Sequence, residues 1–414
     1  MKILIVRVVP NAVEMKFSAR FKPYRFPFMV ARMRRSLDNL QALRGIACLL
    51  VVFYHLGIWE NMVWPRVQLT HPFRWFGYAG VDLFFAISGF IIVYSHLDHL
   101  GNRAKLPGYL FRRAWRIFPV FWVAMFATAT LLYYVTNQPQ WLMGWPHDWF
   151  EWLLLLPRPD GNRVLPVAWS LSFEVMFYLA FGLLLLLPKR FAFALGVIWV
   201  LVVLTAKVLV YEPASAYGKM PFSPYVLEFL GGALAAVLVK RGYVRGPRTC
   251  LFVGIAWAAS VVAHLAESTA DAFSAQTWYR VLAFGPASVL IVYAMAAGEQ
   301  KRWRYLRIVG DASYSIYLYH SVFFVCALFA SFGISHRFWP HLVWLGILFG
   351  SGVGGGLLMY YLVERPLTNA IKRRPRPEPS IVMAQRIPCN GPPLAASAST
   401  RLETPASSTS GGAM

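Results

Sequence analysis

Two ionisable side chains interrupt the apolar stretch LRGIACLLVVFYHLGIW, residues 43–59. Arg44 and His55 share one face of a helix at this spacing and stand about 16 Å apart along its axis. Arg44 alone has a simple alternative explanation, an interfacial arginine whose long side chain reaches lipid phosphate. His55 is harder to explain in this way, because an ionisable ring inside hydrocarbon is costly and by default marks function.

Four further ionisable residues lie in apolar stretches of their own: Asp82, Glu174, Glu228 and His320. We expect the two histidines to meet carboxylates at a similar depth. Imidazoles and carboxylates gathered in a low-dielectric site suit general acid–base catalysis on a hydroxyl group. They would equally suit a proton relay in a transporter, so the residue types alone leave both functions open.

An arginine cluster opens a later apolar stretch, in FRRAWRIFP at residues 111–119. Arg113 and Arg116 lie one helical turn apart, and Arg112 is a third candidate for contact with phosphate. They would form a two-armed clamp at a helix N-terminus, where phosphate binds favourably. Ordinary anchoring of a membrane helix by positive residues on the cytoplasmic side is the alternative explanation.

The elements that must position these residues are membrane-spanning helices. Of the 414 residues, 58% are hydrophobic and 14% are charged, whereas about a quarter are charged in soluble proteins. Stretches of about 20 apolar residues, enough to cross a bilayer, recur along most of the chain. The predicted spans are 40–59, 77–97, 116–136, 169–187, 191–210, 223–240, 249–266, 279–297, 311–331 and 341–363. The predicted fold class is all-α, a polytopic helical bundle of ten transmembrane helices, with the shorter stretch 149–157 interfacial or re-entrant.

The net charge of +22 follows the topology of such a bundle. With residue 1 placed inside, Lys and Arg alternate between dense and sparse loops. This positive-inside bias puts both termini in the cytoplasm, with 98–114 and 298–307 inside and 60–75 and 137–168 outside. The same basic residues would attract anionic membrane lipids, and no nucleic-acid partner is expected.

The two ends differ in composition from the membrane part. Residues 1–36 are basic and lack the apolar core of a cleavable signal peptide, and residues 369–414 hold too few large apolar side chains to build a core. We predict a poorly ordered N-terminal extension and a disordered cytoplasmic tail around a transmembrane domain of residues 37–368. Three methionines are alternative starts: Met1, Met29 and Met33. The four cysteines show no metal-ligand spacing and no disulfide framework, so no metal site is predicted.

Several motifs of the chain together resemble the membrane acyltransferase-3 family, transmembrane acyltransferases that modify surface polysaccharides and related acceptors. The pattern begins with the Arg-x10-His spacing of Arg44 and His55. The other blocks follow in family order: GVDLFFAISGFII (80–92), FRRAWRIFP (111–119), WSLSFEVMFY (169–178), EFLGGAL (228–234), SYSIYLYH (313–320) and VERPL (363–367). One such block would be weak, but six in order across ten predicted spans are specific.

The resemblance implies particular roles for the matching residues. His55 would be the catalytic histidine and Arg44 its motif partner, while Arg113 and Arg116 would contact the phosphates of coenzyme A. Glu174 and His320 match the polar positions of their blocks. Many relatives carry a second acidic residue after the Glu174 position, but Val175 stands there in this chain, so a mechanism that needs two adjacent carboxylates fails.

The resemblance predicts an integral membrane O-acyltransferase in the inner membrane of a bacterium. It would move an acyl group, most simply acetyl, from cytoplasmic acyl-CoA to a hydroxyl of a polysaccharide, lipopolysaccharide or lipid-linked sugar, without a tightly bound cofactor. We expect His55 to act as general base with Glu174 or Asp82 orienting it; a transient acyl-histidine is the competing route. A proton-coupled transporter and an inactive accessory subunit are the alternative functions. Some relatives carry an extra C-terminal domain that helps transfer to the final acceptor. We do not expect such a domain in this sequence, so the protein would act alone or pass its acyl group to a separate periplasmic partner.

Overall fold

The computed structural model of the chain describes residues 26–64, 69–70, 74, 76–136, 146–158, 164–211, 213–266, 277–301, 303–331 and 341–372, with the side chains of all but 26–37, 136, 146–147, 266, 331 and 372. Helices make up nearly all of this part, and it contains no strand, in agreement with the predicted all-α class. In chain order the helices are α1 Phe26–Val63, α2 Ala79–His96, α3 Leu106–Thr136, α4 Pro146–Leu153, α5 Trp169–Leu184, α6 Lys189–Val208, α7 Ala216–Lys219, α8 Tyr225–Lys240, α9 Pro247–Ala266, α10 Thr277–Ala297, α11 Arg304–Asp311, α12 Ser313–Ser331, α13 His341–Met359 and α14 Arg365–Lys372.

The ten predicted spans are confirmed. Ten helices of the described part are long and apolar enough to cross a membrane. They are α1, α2, α3, α5, α6, α8, α9, α10, α12 and α13. The stretch 149–157, predicted as too short to span, begins in the 8-residue helix α4. A single π-helical turn, Tyr360–Glu364, joins α13 to α14.

The helices divide into an inner and an outer group. About two thirds of the apolar window of α2 is buried (67%), whereas the windows of α6 and α9 are buried over only 17% and 11%. Helices with so little buried surface and such apolar sequences suit contact with lipid rather than with protein. The ionisable residues of the inner helices are therefore shielded by an apolar outer layer.

Glycines allow a close contact between two helices of the inner group, α2 and α8. A Cβ atom at Gly89 would collide with the backbone oxygen of Phe229, and one at Gly232 with that of Ala86. Without a strong hydrophobic drive between helices in lipid, small residues let two backbones approach and gain packing contacts. The motif blocks at 80–92 and 228–234 are thus brought side by side by their own glycines.

The predicted termini lie largely outside the described residues. Side chains are described from residue 38 onward, and the compact unit that holds the helices ends at Ile371. The predicted division into an N-terminal extension, a membrane domain and a tail stays a prediction.

Candidate active site

One cavity of the inner bundle collects charged residues from three helices, and we call it the arginine cavity. Its volume is about 60 Å³. The charged residues of its lining are Arg44 from α1, Arg113 and Arg116 from α3, and Glu174 from α5. The polar lining residues are Ser88, Ser170, Tyr178, Ser313, Tyr314 and Tyr317. Three cations therefore face one carboxylate in the lining, which suits an anionic ligand.

The arginines of the cavity are held by aromatic and polar neighbours. The Arg113 guanidinium lies 5.2 Å from the ring centre of Tyr178 and 5.7 Å from that of Tyr109, a cation–π arrangement. Arg44 donates to the side-chain oxygen of Gln41 at 3.4 Å. Arg116 remains exposed, and Arg112, predicted as a third phosphate contact, is exposed but does not line the cavity.

Glu174 lies within the cavity and is held there by two hydroxyl groups. It accepts hydrogen bonds from Ser88 at 3.4 Å and from the Tyr178 hydroxyl. A second carboxylate close to Arg44 and Arg116 is Glu364, in the π-helical turn. Glu364 accepts from the backbone nitrogen and the hydroxyl of Ser315 at 3.1 and 2.6 Å.

Glu364 was not assigned a role from the sequence, although it lies in the VERPL block. Its sequence signal was its place in that block, at the end of the last predicted span. π-helical turns occur frequently at functional sites.

The two predicted histidines form a pair deep in the bundle. The ring centres of His55 and His320 are 4.8 Å apart. Nδ1 of His55 lies 2.9 Å from the Val51 carbonyl oxygen, and Nδ1 of His320 lies 3.0 Å from that of Ile316. A carbonyl oxygen can only accept, so in each neutral ring Nδ1 carries the proton and Nε2 keeps its lone pair.

The histidine pair lies next to the arginine cavity but not in its lining. The His320 ring centre is 6.4 Å from that of Tyr317, which lines the cavity. On the other side, the His55 ring contacts Tyr54 at 5.1 Å. Nε2 of the buried His320 has no hydrogen-bond partner among the described residues.

Asp82 belongs to a different cluster from the histidines. It forms a buried ion pair with Arg280, with nitrogen–oxygen distances of 2.6 to 3.2 Å, and Glu228 is its neighbouring carboxyl group. Arg280 was overlooked in the sequence, although an arginine inside the predicted span 279–297 is the same kind of signal as Asp82. Its charge satisfies the carboxylate in a region where an unpaired ion is costly.

The expected meeting of histidines and carboxylates is therefore not what the described contacts show. Asp82 pairs with Arg280, and Glu174 faces the arginine cavity, while the Nδ1 atoms of both histidines bond to the backbone. The physical reason is local: a carbonyl four residues earlier on the same helix is within reach of the ring. The predicted catalytic role of each residue stays a prediction.

Comparison with known sequences identifies the family. The family model described as an acyltransferase domain, acyltransferase-3, matches residues 37–361. The chain belongs to this family. It is therefore an acyltransferase, and its ten apolar helices make it a multi-pass membrane protein.

Two relatives illustrate the range of the family. The exopolysaccharide production protein ExoZ of Rhizobium meliloti (strain 1021) is 29% identical over 323 residues, which cover 74% of this chain and 94% of ExoZ. YrhL of Bacillus subtilis (strain 168), named for peptidoglycan O-acetyltransfer, is 25% identical over 319 residues, which cover 69% of this chain but 48% of YrhL. No solved structure matches this chain significantly.

Proposed function

We propose that this acyltransferase moves an acyl group, most simply acetyl, from cytoplasmic acyl-CoA to a hydroxyl group of a surface carbohydrate, in the inner membrane of a bacterium. The observation that carries the proposal is the convergence of Arg44, Arg113 and Arg116 on one cavity beside the histidine pair. The names of ExoZ and YrhL support a glycan as acceptor.

The charge of the arginine cavity supports a phosphate-bearing donor. Arginine binds phosphate through its planar fork, and Arg113 and Arg116 present two such forks one turn apart on α3. Arg44 and His55 lie on the same face of α1, about 16 Å apart along the axis. Phosphates held by the arginines would leave the flexible arm of the coenzyme to extend toward the histidines.

The tautomer of His55 supports its role as base. The acceptor hydroxyl gives its proton to Nε2 while its oxygen forms a bond to the thioester carbonyl carbon. The carbon–sulfur bond breaks, and the leaving thiolate of coenzyme A takes the proton from Nε2, which regenerates the neutral ring. The Val51 carbonyl holds the ring in this tautomer, so no carboxylate is needed for its orientation.

A transient acyl-histidine remains the competing route. In that case Nε2 of His55 attacks the thioester carbon first, the carbon–sulfur bond breaks and coenzyme A leaves as the thiolate. The acceptor hydroxyl then takes the acyl group from the ring, which is regenerated, and the hydroxyl proton passes to the thiolate. His320 lies directly against His55, since the ring centres are 4.8 Å apart, and its ring would help to place the acylated His55. Glu174, fixed by Ser88 and Tyr178, would limit the positive charge of the cavity and position the donor.

Purified protein in liposomes, supplied with acetyl-CoA labelled in the acetyl group, tests the proposal. We expect binding of acetyl-CoA and either its hydrolysis or transfer to added glycan fragments. Deletion of the gene should remove acetyl groups from the surface glycans of the native host, measured by mass spectrometry. A protein that binds no acyl-CoA, together with an unchanged glycan, would overturn the proposal.

A further inference from the structure

A second cavity lies on the other face of α5, and we call it the aromatic cavity. Its volume is about 770 Å³, against about 60 Å³ for the arginine cavity. The aromatic residues of its lining are Trp152, Trp169, Phe173, Tyr211, Phe222, Tyr225 and Trp278. Its polar lining residues include Ser172, Ser223 and Thr277. Such a cavity has room for a ligand much larger than an acetyl group.

The two cavities share a single helix as their partition. Trp169, Ser172 and Phe173 of α5 line the aromatic cavity, whereas Leu171 and Glu174 line the arginine cavity. At 100° per residue these two sets lie on opposite faces of the helix. The rest of the aromatic lining comes from residues 152–158, 211–225 and 277–280, which fall in or border loops of the predicted outer side.

The charges of the aromatic cavity are largely neutralised. Arg158 is paired with Asp148 and Glu151, both at 2.5 Å, and Arg280 is paired with Asp82 at 2.6 Å. The lining therefore combines flat apolar rings with hydrogen-bond donors whose charge is already balanced. A polyphosphate would bind poorly here because the arginines of the lining are already paired with carboxylates. A lipid chain would leave the polar groups of the lining without hydrogen-bond partners.

A sugar ring matches this combination of surfaces. One face of a pyranose presents C–H groups that pack on an aromatic ring, while its rim of hydroxyl groups needs donors and acceptors. Trp278 is half-buried, lines the cavity and has the Lys207 ammonium 5.8 Å from its ring centre. Lys219, an exposed lining residue, stands at the rim.

A chain of ring contacts leads from this cavity to the histidine pair. The Arg280 guanidinium lies 5.8 Å from the ring centre of Trp169 and 4.9 Å from that of Tyr78. Tyr78 contacts Tyr54 at 5.7 Å, and Tyr54 contacts His55 at 5.1 Å. These contacts join the wall of the aromatic cavity to His55 through packed side chains, whereas Tyr317 joins the wall of the arginine cavity to His320.

We infer that the aromatic cavity is the acceptor site, where a saccharide unit stacks on Trp278 and its neighbours and points a hydroxyl toward His55. This inference rests on the proposed function and adds the surface that recognises the acceptor. Donor and acceptor would then enter on opposite faces of α5 and meet at the histidines. Trp278 and Lys219 would affect the acceptor without touching the donor.

Blocking the cavity tests the inference with whatever glycan the native host makes. Lys219→Cys is treated on intact cells with a bulky, membrane-impermeant biotin methanethiosulfonate, and acetate released from the surface glycan by mild alkali is measured. We expect a roughly tenfold loss of acetate, equivalent to about 1.4 kcal/mol, while purified modified protein binds acetyl-CoA as before. Tyr217→Cys, on the same short helix but outside the lining, is the matched control and should keep full transfer.

The aromatic platform is tested separately by Trp278→Ala and Trp278→Phe. We expect the alanine variant to lose about tenfold in transfer and the phenylalanine variant to keep most of it, with acetyl-CoA binding unchanged in both. Trp257→Ala, an exposed tryptophan of α9, is the control. Provided that the unmodified protein transfers acetyl groups, either of two results would overturn the inference. One is full transfer by modified Lys219→Cys, and the other is an equal loss of transfer in both Trp278 variants. An unmodified protein that neither binds acetyl-CoA nor acetylates the glycan points instead to failure of the proposed function.

Discussion

The arginine cavity and the aromatic cavity lie on the two faces of α5 and differ in how they treat charge. In the arginine cavity, Arg113 is held against aromatic rings and Arg116 is exposed, so both guanidinium groups remain available to an anion. In the aromatic cavity, Arg158 and Arg280 are tied to carboxylates of the protein. The same residue type therefore lacks an ion pair among the described residues in one cavity and is held in ion pairs in the other.

The difference between the two cavities matches the difference between the two proposed ligands, a donor that carries phosphate groups and an uncharged saccharide acceptor. A buried ion pair costs desolvation that its own attraction only partly offsets, so it is weak evidence for a ligand site. Among the described residues, no ion pair joins Arg113 or Arg116 to a carboxylate, although Glu174 and Glu364 lie near Arg116. Arg280 differs from them, because it forms an ion pair with Asp82.

His55→Ala should have the largest effect, because His55 is the proposed general base. Loss of a general base costs about 10²- to 10⁴-fold in rate, while acetyl-CoA binding should persist since no arginine is removed. Transfer and isothermal titration measured on the same preparation check this. His264→Ala, an exposed histidine of α9, serves as control. Transfer by His55→Ala within tenfold of the parent would contradict the assignment.

Arg280→Met should mainly reduce stability, because it leaves Asp82 and its neighbour Glu228 buried without their cation. Breaking such a pair costs about 3–5 kcal/mol, which a thermal melt in detergent would show. The double variant Asp82→Asn with Arg280→Met should regain much of the loss. It also decides the role of Asp82: recovery of transfer together with stability assigns a structural role, whereas a stable but inactive double variant supports the catalytic role predicted from the sequence.

Arg113→Gln with Arg116→Gln should raise the donor KM far more than it lowers the amount of folded protein. Each charge-assisted contact to phosphate is worth about 1.5–3 kcal/mol. Arg190→Gln, at the exposed start of α6, is the control, and Arg112→Gln should behave like it because Arg112 does not line the cavity. Normal donor binding by the double variant would reduce both arginines to membrane anchors.

Cysteine labelling should show that the two cavities open on opposite sides of the membrane. Asn102→Cys lies in an exposed loop of the predicted cytoplasmic side, and Ala214→Cys lies at the exposed edge of the aromatic cavity. An impermeant maleimide added to intact cells should label only Ala214→Cys, with the parent protein as background. Equal labelling of both from outside would break the predicted topology and the separate entrances with it.

The membrane helices and most of the candidate site residues could be predicted from the amino-acid sequence. In lipid the backbone N–H and C=O groups find no water to bond to, and a helix forms all their hydrogen bonds within one segment. An apolar stretch long enough to cross the membrane is therefore expected to be helical. The ten spans, the helical class and the shared face of Arg44 and His55 follow from this local constraint. Because an ion in hydrocarbon is costly, Asp82 and His320 could also be recognised from the sequence as candidate site residues.

The contacts between these residues, in contrast, could be seen only in the folded protein. The pairing of Asp82 with Arg280, the separation of Glu174 from the histidines and the approach of Glu364 to Arg44 join residues from different helices. Such contacts depend on the rotation and depth of each helix, which small residues such as Gly89 and Gly232 set through close packing. Hydropathy reports the length of a helix but not its neighbours, so the two cavities on α5 could be found only in the folded chain.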